Sequence, residues 1–492
     1  MSKEYETVIG LEVHVELATK TKIFCGCSTA FGGAPNTHTC PVCTGMPGSL
    51  PVLNKQVVEY AMAVGLATNC EITRHCKFDR KNYFYPDNPQ NYQISQLYLP
   101  ICRNGHVDIE LGRVSVNQKN AGKEAGEIRH KKVRIHEIHM EEDAGKLIHD
   151  EWADESLVDY NRSGVPLIEI VSEPDMRSAE EVIAYLETLR QTIQYLGASD
   201  CKLQEGSMRA DVNLSVREVG STEFGTRTEM KNLNSFTSIT HAIENERERQ
   251  IDIIESGGKV VQETRRFDDA KGESYAMRSK EDAQDYRYFP DPDLIPVDIS
   301  DEWIERVKAA QPEFRPAKIE RYKEEYGIPD YDIELITQSK RMADIFEESV
   351  RLGADAKKVS NWLMVETMRL LKEKNMDADK LVFSPAHLAK LVELVDKKVI
   401  NNNTAKEVFA QMFEDDTDPV KYVEEHGLKQ ENDSGAIKEI CSAVIEANPK
   451  SVEDYKGGKE KAIGFLVGQV MKQAKGKADP GTVNEILKEL LS

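Results

Sequence analysis

The stretch that decides the fold is Val8-Ile9-Gly10-Leu11-Glu12-Val13-His14-Val15-Glu16-Leu17. Apolar residues at the odd positions from 9 to 17 alternate with Glu12, His14 and Glu16. A period of two over this length is typical of a β-strand with one buried face. The other face offers nitrogen and oxygen ligands ~7 Å apart, since alternate residues are two strand rises apart. The alternative interpretation is an ordinary solvated strand face.

Two later segments repeat this alternation. In segment 210–217, Asp211 belongs to a polar set that alternates with Ala, Val and Leu, and in segment 227–233 Glu229 and Lys231 share one face. Carboxylates on strand faces, with Arg and Lys interleaved, suit a concave sheet that holds metal-bound phosphates, because Mg²⁺ prefers carboxylate oxygens. The sequence therefore predicts a magnesium–phosphate site on one face of a sheet.

A further run, residues 133–146, carries Glu141, Glu142 and Asp143 before a turn. Glu141 and Glu142 cannot both face the metal from a regular strand, because neighbouring side chains point to opposite faces. A bulge near Asp143 is one way to redirect one of them. The sequence leaves open which of the two faces the metal.

Composition limits the function classes. The chain has 492 residues, enough for two to four domains, and no apolar run near the ~18 residues of a membrane helix. Its formal charge of −21 argues against general affinity for nucleic acid. The first residues, Met1 to Glu6, lack the apolar segment of a secretory signal, and nine cysteines without such a signal indicate a reducing compartment. We therefore expect a cytoplasmic protein with no membrane association.

Four cysteines form two close pairs, Cys25 with Cys27 and Cys40 with Cys43. This spacing is typical of a zinc knuckle, in which each pair presents two thiolates to one ion. Four ligands complete the tetrahedron, so the site is predicted to be structural. His38 is a less favoured replacement for one ligand, and four unrelated buried cysteines are the alternative.

Segment 77–96 mixes Arg and Lys with aromatic, amide and turn residues. Exposed rings beside cations are typical of proteins that hold unpaired nucleotides, because bases stack on the rings and cations meet phosphates. The alternative is a structural loop whose tyrosines pack on the domain.

Composition changes near Phe289-Pro290-Asp291-Pro292-Asp293, where two prolines interrupt either type of element. Strand patterns dominate before this point and helical periodicity dominates after it. We predict a first domain over 1–292, a helical domain over 293–405 and a tail domain over 406–492.

The tail domain contains a local excess of lysine in a strongly acidic protein. Its candidate contacts to a phosphate backbone are Lys459, Lys461, Lys472, Lys475 and Lys477. A solvated helix face is the alternative, since lysine is common there.

Several long motifs resemble one family, the B subunits of the tRNA-dependent amidotransferases (the GatB family). The motifs are Gly10-Leu11-Glu12-Val13-His14-Val15-Glu16-Leu17, Phe78-Asp79-Arg80-Lys81-Asn82-Tyr83-Phe84-Tyr85-Pro86-Asp87, His139-Met140-Glu141-Glu142-Asp143-Ala144-Gly145-Lys146, Asp285-Tyr286-Arg287-Tyr288-Phe289-Pro290 and, in the tail, Lys461-Ala462-Ile463-Gly464-Phe465-Leu466-Val467-Gly468-Gln469. The resemblance runs through the whole chain. In addition, the sequence lacks a P-loop, a Gly-x-Gly-x-x-Gly after a strand and a Gly-x-Ser-x-Gly elbow.

The resemblance implies an α+β fold: a cradle-shaped antiparallel sheet domain similar to glutamine synthetase and guanido kinases, then an all-α domain and a small helical tail. It implies a ligase that uses ATP to phosphorylate the side-chain carboxylate of misacylated Glu-tRNA(Gln), Asp-tRNA(Asn) or both. Ammonia then displaces phosphate. The implied partners are an amidase (A) subunit, which supplies ammonia from glutamine, and a small C subunit, in a heterotrimer with tRNA. The implied cofactors are ATP, Mg²⁺ and structural Zn²⁺.

The resemblance also assigns roles to residues. The expected magnesium ligands are His14, Glu142 and Glu229, with Glu12 and Asp211 at a second metal or the nucleotide. The residue chemistry, rather than the resemblance, makes Lys81, Arg209, Arg227 and Lys231 candidates for phosphate or acyl-phosphate contacts. The composition of segment 77–96 makes Arg80, Tyr83, Tyr85 and Tyr92 candidates for the acceptor end of tRNA, and the local charge of the tail makes its lysines candidates for the tRNA body.

Two other classes of function compete with this interpretation. A stand-alone ligase would consume ATP with a free acid and ammonia, whereas a non-catalytic RNA-binding scaffold would not consume ATP. The basic tail disfavours the ligase and the repeated carboxylate strands disfavour the scaffold. The sequence leaves open the choice of tRNA, the number of Mg²⁺ ions and the path of ammonia.

Overall fold

The computed structural model describes residues 3–112, 127–149, 155–279, 286–429, 434–459, 461–474, 478 and 480–491. The chain divides into two compact units, Met1–Phe314 and Arg315–Ser492. Among the described residues we find no helix with the length and hydrophobicity that a membrane crossing requires.

The first unit is rich in strands. They are β1 (Tyr5–Glu16), β2 (Glu71–Ile72), β3 (His75–Cys76), β4 (Asp79–Asn82), β5 (Tyr92–Ser95), β6 (Cys102–Leu111), β7 (Arg129–Glu142), β8 (Lys146–His149), β9 (Ser156–Asp159), β10 (Pro166–Ser172), β11 (Met208–Glu218), β12 (Thr228–Lys231), β13 (Glu263–Asp268), β14 (Glu273–Ser279), β15 (Phe289–Pro290) and β16 (Val297–Asp298). The main sheet has the order β14-β13-β12-β11-β1-β10-β7-β6-β2. Its neighbours pair antiparallel except β12 and β13, which pair in parallel. This mixed sheet with its helices confirms the α+β class.

Helices cover one face of this sheet. They are α1 (Lys55–Ala67), α2 (Ala179–Leu196), α3 (Phe236–Glu255) and α4 (Asp301–Ala309). The odd-numbered residues of β1 from Ile9 to Val15 pack with them in one hydrophobic core, as the alternation predicted. Ser178 and Ser235 cap α2 and α3 by accepting backbone hydrogen bonds in the first turn.

The opposite face of the sheet carries the polar residues of the central strands. In the register, His14 of β1 lies between Glu169 of β10 and Arg209 of β11, and Glu169 lies opposite His139 of β7. Because residues in register on antiparallel strands share a face, these side chains form one row. Glu12 lies opposite Asp211 in the next row.

The first unit extends past the predicted boundary at 292. Strand β16 pairs with β3, and Ile304 and Val307 of α4 belong to the core of the first unit. The Trp303 indole also donates to Glu59 of α1 over 3.0 Å. The two prolines interrupt the strand pattern, but the apolar side chains after them are still needed to cover this unit's core.

The second unit is helical. Its elements are α5 (Arg315–Glu325), α6 (Asp330–Ile336), α7 (Lys340–Arg351), α8 (Ala356–Asn361), a π-helical turn (Trp362–Thr367), α9 (Met368–Glu373), a 3-10 turn (Ala378–Lys380), α10 (Pro385–Asp396), α11 (Asn402–Asp415), α12 (Pro419–Glu425), α13 (Ser434–Ala447), α14 (Pro449–Lys456), α15 (Lys461–Gln473) and α16 (Pro480–Leu491). One hydrophobic cluster runs from Ile319 to Val423 and another from Ile437 to Leu491. The predicted division at 405 lies inside the first cluster, because Val408 and Phe409 of α11 pack into it.

Candidate functional site

Three carboxylates converge on the polar face near the middle of the sheet. Glu12, Asp211 and Glu229 each offer an oxygen, and these oxygens lie within 4.8 Å of one another. The Lys231 ammonium lies 2.8 Å from Glu229 Oε1 and also pairs with Asp211. Asn213 donates to Glu12 over 3.0 Å. The predicted residues Glu12, Asp211, Glu229 and Lys231 are therefore brought together, in an arrangement that suits a divalent cation.

The electrostatics of this first carboxylate cluster reflect its crowding. Burial raises the pKa of Glu12, and the charges of Glu169 and Glu229 raise it further. Burial alone would lower the pKa of Lys231, but the charges of Asp211 and Glu229 outweigh it and the pKa is raised. The lysine thus stays cationic and neutralises part of the cluster, and the remaining negative charge favours a bound cation.

A second cluster lies beside the first on the same face. His14, Glu141 and Glu169 place their ligand atoms within 4.8 Å of one another. His14 Nε2 lies 3.5 Å from an oxygen of each glutamate. His139 Nε2 lies 2.8 Å from Glu169 Oε2 and 3.8 Å from Glu141 Oε2. This cluster has the mixed nitrogen and oxygen donors of a metal site.

Both histidines are held toward their charged forms. Burial opposes this, but Glu169 and Glu141 outweigh burial and raise the pKa of His14. The same two carboxylates raise the pKa of His139 to about 10 against the effect of burial. In turn, the imidazoles hold the pKa of Glu169 well below its usual range, although burial opposes that shift. The two imidazoles and Glu169 therefore favour each other's charged forms.

Glu142 does not lie with His14, contrary to the assignment implied by the resemblance. Its Oε1 accepts from the Ile94 amide over 3.0 Å and from the Gln90 side chain, on the opposite side of β7. Burial raises the pKa of Glu142 to about 8. From Glu137 to Glu142, strand β7 pairs with β10 without a register shift, so Glu141 faces the polar cluster and Glu142 faces away. The register shift lies between Val171 and Ser172, not near Asp143.

Arg209 lies beside the carboxylate clusters, at the end of the polar face, and pairs with Asp143 instead of with a carboxylate of either cluster. Its Nη2 lies 3.1 Å from Asp143 Oδ2, and Arg162 Nε lies 3.4 Å from the same oxygen. Burial and the charge of Asp143 raise the pKa of Glu16 to about 7. Two guanidinium groups therefore border the clusters, where an anionic group can be bound.

Lys81 lies on β4, in a separate small sheet of the same unit. Its ammonium lies 4.7 Å from the centre of the Tyr286 ring. The neighbouring Arg80 is held by Asp291 over 2.8 Å and by Asp293 over 2.7 Å. Arg80 therefore has a structural role whatever else it contacts.

The aromatic residues of segment 77–96 fall into two groups. Tyr92 packs under the Arg80 guanidinium at 4.1 Å, and Tyr83 packs edge-on against Tyr286 at 5.9 Å. Tyr85 is about half exposed, and its neighbour Phe84 is more exposed still. The segment thus contains packed tyrosines, as expected of a structural loop, and also exposed rings, as expected of a contact to unpaired nucleotides.

The four cysteines meet as their spacing predicts. Their sulfurs lie within 4.8 Å of one another, with Cys43 Sγ 4.0 Å from Cys27 and 3.9 Å from Cys40. The Cys40 amide donates to Cys43 Sγ over 3.2 Å, as in a knuckle. Hydrogen bonding from the Cys25 thiol lowers the pKa of Cys43 to about 4, whereas hydrogen bonding to Cys43 and burial raise the pKa of Cys25, and burial raises that of Cys27. The four converging sulfurs offer the four ligands of a tetrahedral zinc site.

The described tail lysines are exposed. Lys459 pairs with Asp454 over 2.9 Å, and Lys461 and Lys472 lie on the surface of α15. Their exposure fits a contact to a phosphate backbone and also fits a solvated helix face. Lys475 and Lys477 lie outside the described residues.

Glu169 and His139 are site residues to which the sequence assigned no role, although His139 begins the motif His139-Met140-Glu141-Glu142-Asp143-Ala144-Gly145-Lys146. Glu169 is the one charged residue of strand β10, PLIEIVS, and that isolation was an available signal. His139 shares the parity of Glu137 and Glu141 in β7. Parity within β7 groups Glu141 with His139, but it does not tell which face of β7 joins the polar face of β1, because that depends on the intervening β10.

The first unit matches the model of the GatB/GatE catalytic domain over residues 7–305, and residues 344–491 match the GatB domain. Three relatives are each named as the B subunit of an aspartyl/glutamyl-tRNA(Asn/Gln) amidotransferase. That of Agathobacter rectalis is 73% identical over 99% of this chain and 100% of its own length. The B subunit of Lachnospira eligens is 69% identical over 99% of this chain and 100% of its own length. The B subunit of Lachnoclostridium phytofermentans is 64% identical over 100% of this chain and 99% of its own length. Both matched domains and the full-length identity show that the chain belongs to the GatB family of amidotransferase B subunits.

Proposed function

We propose that this chain phosphorylates the side-chain carboxylate of Glu on tRNA(Gln) and Asp on tRNA(Asn), and then transfers ammonia to it. The observation that carries the proposal is the pair of carboxylate clusters on one sheet face. The names of the relatives support the choice of substrates, since they include both aminoacyl-tRNA classes. We also propose that the sheet of the first unit forms the cradle-shaped fold that the resemblance implies.

The chain's own groups divide the work. Glu12, Asp211 and Glu229 would hold one Mg²⁺, and His14, Glu141 and Glu169 are placed to hold another. Mg²⁺ bound with ATP neutralises charge that builds up on the phosphate oxygens. Lys231 and Arg209 lie beside these clusters and are the candidates for contacts to the transferred phosphate.

Ammonia would come from a partner. Hydrolysis of glutamine needs an activated nucleophile with its base. Four cysteines form the cluster described above, and the remaining five are buried in the structure. We therefore assign glutamine hydrolysis to an amidase A subunit in a heterotrimer with a small C subunit, and we place the protein in the cytoplasm.

The remaining surfaces have supporting roles in this proposal. The four cysteines would hold a structural zinc, and the exposed rings near Tyr85 would contact the acceptor end of tRNA. The tail lysines would contact the tRNA backbone. These roles rest on donor chemistry and exposure.

One experiment tests the division of labour. The chain purified without partners is given ATP, Mg²⁺ and misacylated tRNA, with glutamine or ammonium chloride as nitrogen donor. We expect amide from ammonium but not from glutamine, because the acyl phosphate is already activated. Equal rates with both donors would show a glutaminase site in this chain. Turnover of ATP with free glutamate in place of the tRNA would favour a stand-alone ligase.

The Glu229→Ala variant tests the site itself. Removal of this carboxylate should abolish phosphorylation and leave tRNA binding within about twofold of wild type. The matched control is Glu366→Ala, which removes a buried carboxylate from the second unit. Wild-type ATP turnover in Glu229→Ala would overturn the assignment of the site.

A further inference from the structure

A buried carboxylate lies directly behind the first carboxylate cluster. Glu246, in the middle of α3, is fully buried on the helix-covered face of the sheet. Its Oε1 accepts from the Thr228 hydroxyl over 2.8 Å and from Gln250 Nε2 over 2.9 Å. Arg249 donates to both of its oxygens, over 2.7 and 2.8 Å, and Arg265 Nε lies 3.5 Å away. The carboxylate is thus surrounded by donors.

Two of these donors come from neighbouring strands of the sheet: Thr228 lies on β12, which carries Glu229, and Arg265 lies on β13. Thr228 precedes Glu229 on β12, so the two side chains point to opposite faces of one short strand. Arg265 on β13 follows Thr264, whose hydroxyl donates to Glu229 Oε2 over 2.8 Å. Glu246 therefore contacts the backs of both strands whose front faces position Glu229.

Gln250 extends the same connection to β11. Its side-chain amide donates to the Leu214 carbonyl over 3.3 Å, and its oxygen accepts from the Val216 amide over 3.2 Å. Strand β11 carries Asp211. The helix is thus joined through Glu246 and Gln250 to the strands that carry two of the three carboxylates in the first cluster.

Short strands explain why such support is needed. Strand β12 has four residues and pairs with β11 at three positions and with β13 in parallel at three. Parallel pairing is slightly weaker per residue than antiparallel pairing. Replacement of a buried ion pair by apolar residues of similar volume is often neutral or stabilising, so stability alone does not account for this one.

We propose that Glu246 is a positioning residue that sets the place of Glu229, and through it the affinity of the first carboxylate cluster for a divalent cation. This inference rests on the proposed function, because it takes that cluster to be a metal site. It assigns Glu246 no contact with substrate. Groups that orient metal ligands typically change affinity by 10–100-fold when they are altered.

The test uses the chain with its partner subunits and measures the Mg²⁺ concentration that gives half-maximal phosphorylation. Glu246→Gln should raise that concentration by about tenfold, with a smaller change in kcat. Thr228→Val removes the hydroxyl that donates to Glu246 and accepts from Gln250, and it should raise that Mg²⁺ concentration by about fivefold. Binding of Mn²⁺ to the same variants without ATP or tRNA should weaken in the same order. If Glu246→Gln does not fold, Thr228→Val decides the question.

The matched control is Glu366→Gln in the second unit, whose carboxylate is also buried and pairs with Arg369 over 2.9 Å and Lys406 over 2.8 Å. It should lower stability without changing the Mg²⁺ requirement. An equal shift in this control, or wild-type Mn²⁺ binding in both Glu246→Gln and Thr228→Val, would overturn the positioning role. Phosphorylation retained in Glu229→Ala would overturn the proposed function instead, and the Mn²⁺ titrations would still decide the role of Glu246.

Discussion

The cysteine cluster and the carboxylate clusters of the first unit are built in different ways. The cysteines all come from segment 25–43, where tight turns bring the sulfurs together. The carboxylates and histidine come from β1, β7, β10, β11 and β12, which are far apart in the chain. A local cluster depends on spacing and turn geometry, whereas a cluster across strands depends on sheet order and register.

Glu141 and Glu142 connect the two regions. Glu141 belongs to the histidine-containing cluster, while Glu142 lines a cavity together with Cys25 and Cys43. Two consecutive residues of β7 therefore carry a candidate metal ligand and a side chain near the cysteines. Substitutions at these two positions and in the clusters test whether each cluster depends on a short segment of the chain or on the register of the sheet.

The largest effect is expected from Cys43→Ser. Loss of one thiolate should reduce the zinc content to near zero and lower the free energy of unfolding by several kcal/mol, because structural zinc contributes directly to folding. Metal analysis and thermal unfolding of protein purified without chelator test this. Cys201→Ser, a buried cysteine outside the cluster, is the control and should keep the zinc. A wild-type protein without zinc would contradict the assignment.

Next in size is the contrast between Glu141→Gln and Glu142→Gln. Glu141→Gln should lower kcat/KM for phosphorylation by about 100-fold, or about 3 kcal/mol, because it removes a charged ligand beside His14. Glu142→Gln should lower it by less than about fivefold. The opposite order would mean that β7 is shifted by one residue in the active protein.

A smaller effect per pH unit is expected in the pH dependence of stability. Burial raises the pKa of Glu142 to about 8, above its ordinary value of 4.5, so the folded state binds this proton more tightly. That stabilisation is fully present below about pH 4.5 and is lost as the pH rises through 8. Its slope is at most about 1.4 kcal/mol per pH unit.

Glu142→Gln should therefore flatten the fall in unfolding free energy between pH 5 and about pH 8. Denaturant unfolding at several pH values measures this. Glu71→Gln on the exposed strand β2 is the control and should keep the wild-type slope. A slope that Glu142→Gln leaves unchanged would show that this carboxyl is ionised across the range.

The smallest effect is expected in the tail. Replacing Lys459, Lys461 and Lys472 together by Gln should weaken tRNA binding a few-fold and reduce the slope of log affinity against log salt by about two to three. Filter binding across a salt series measures it. Unchanged binding at every salt concentration would mean that these lysines form only a solvated helix face.

Much of the fold was predictable because the relevant signals are local. The alternation in β1 and the cysteine spacing each lie within a short stretch of the chain. The domain limits at 292 and 405 were less predictable. They depend on which core the apolar side chains of α4 and α11 join, and local composition does not contain that information.

The sequence by itself determined the alternating strand, the carboxylates on the polar faces of the predicted strands, the spacing of the four cysteines and the resemblance to one family. Only the tertiary structure decided that Glu141 and Glu169 lie with His14, and that Glu142 lies on the other side of β7. The physical reason is that side-chain parity is a property of one strand, whereas its phase relative to other strands comes from pairing across the sheet. A one-residue change in that phase exchanges the two glutamates between the faces.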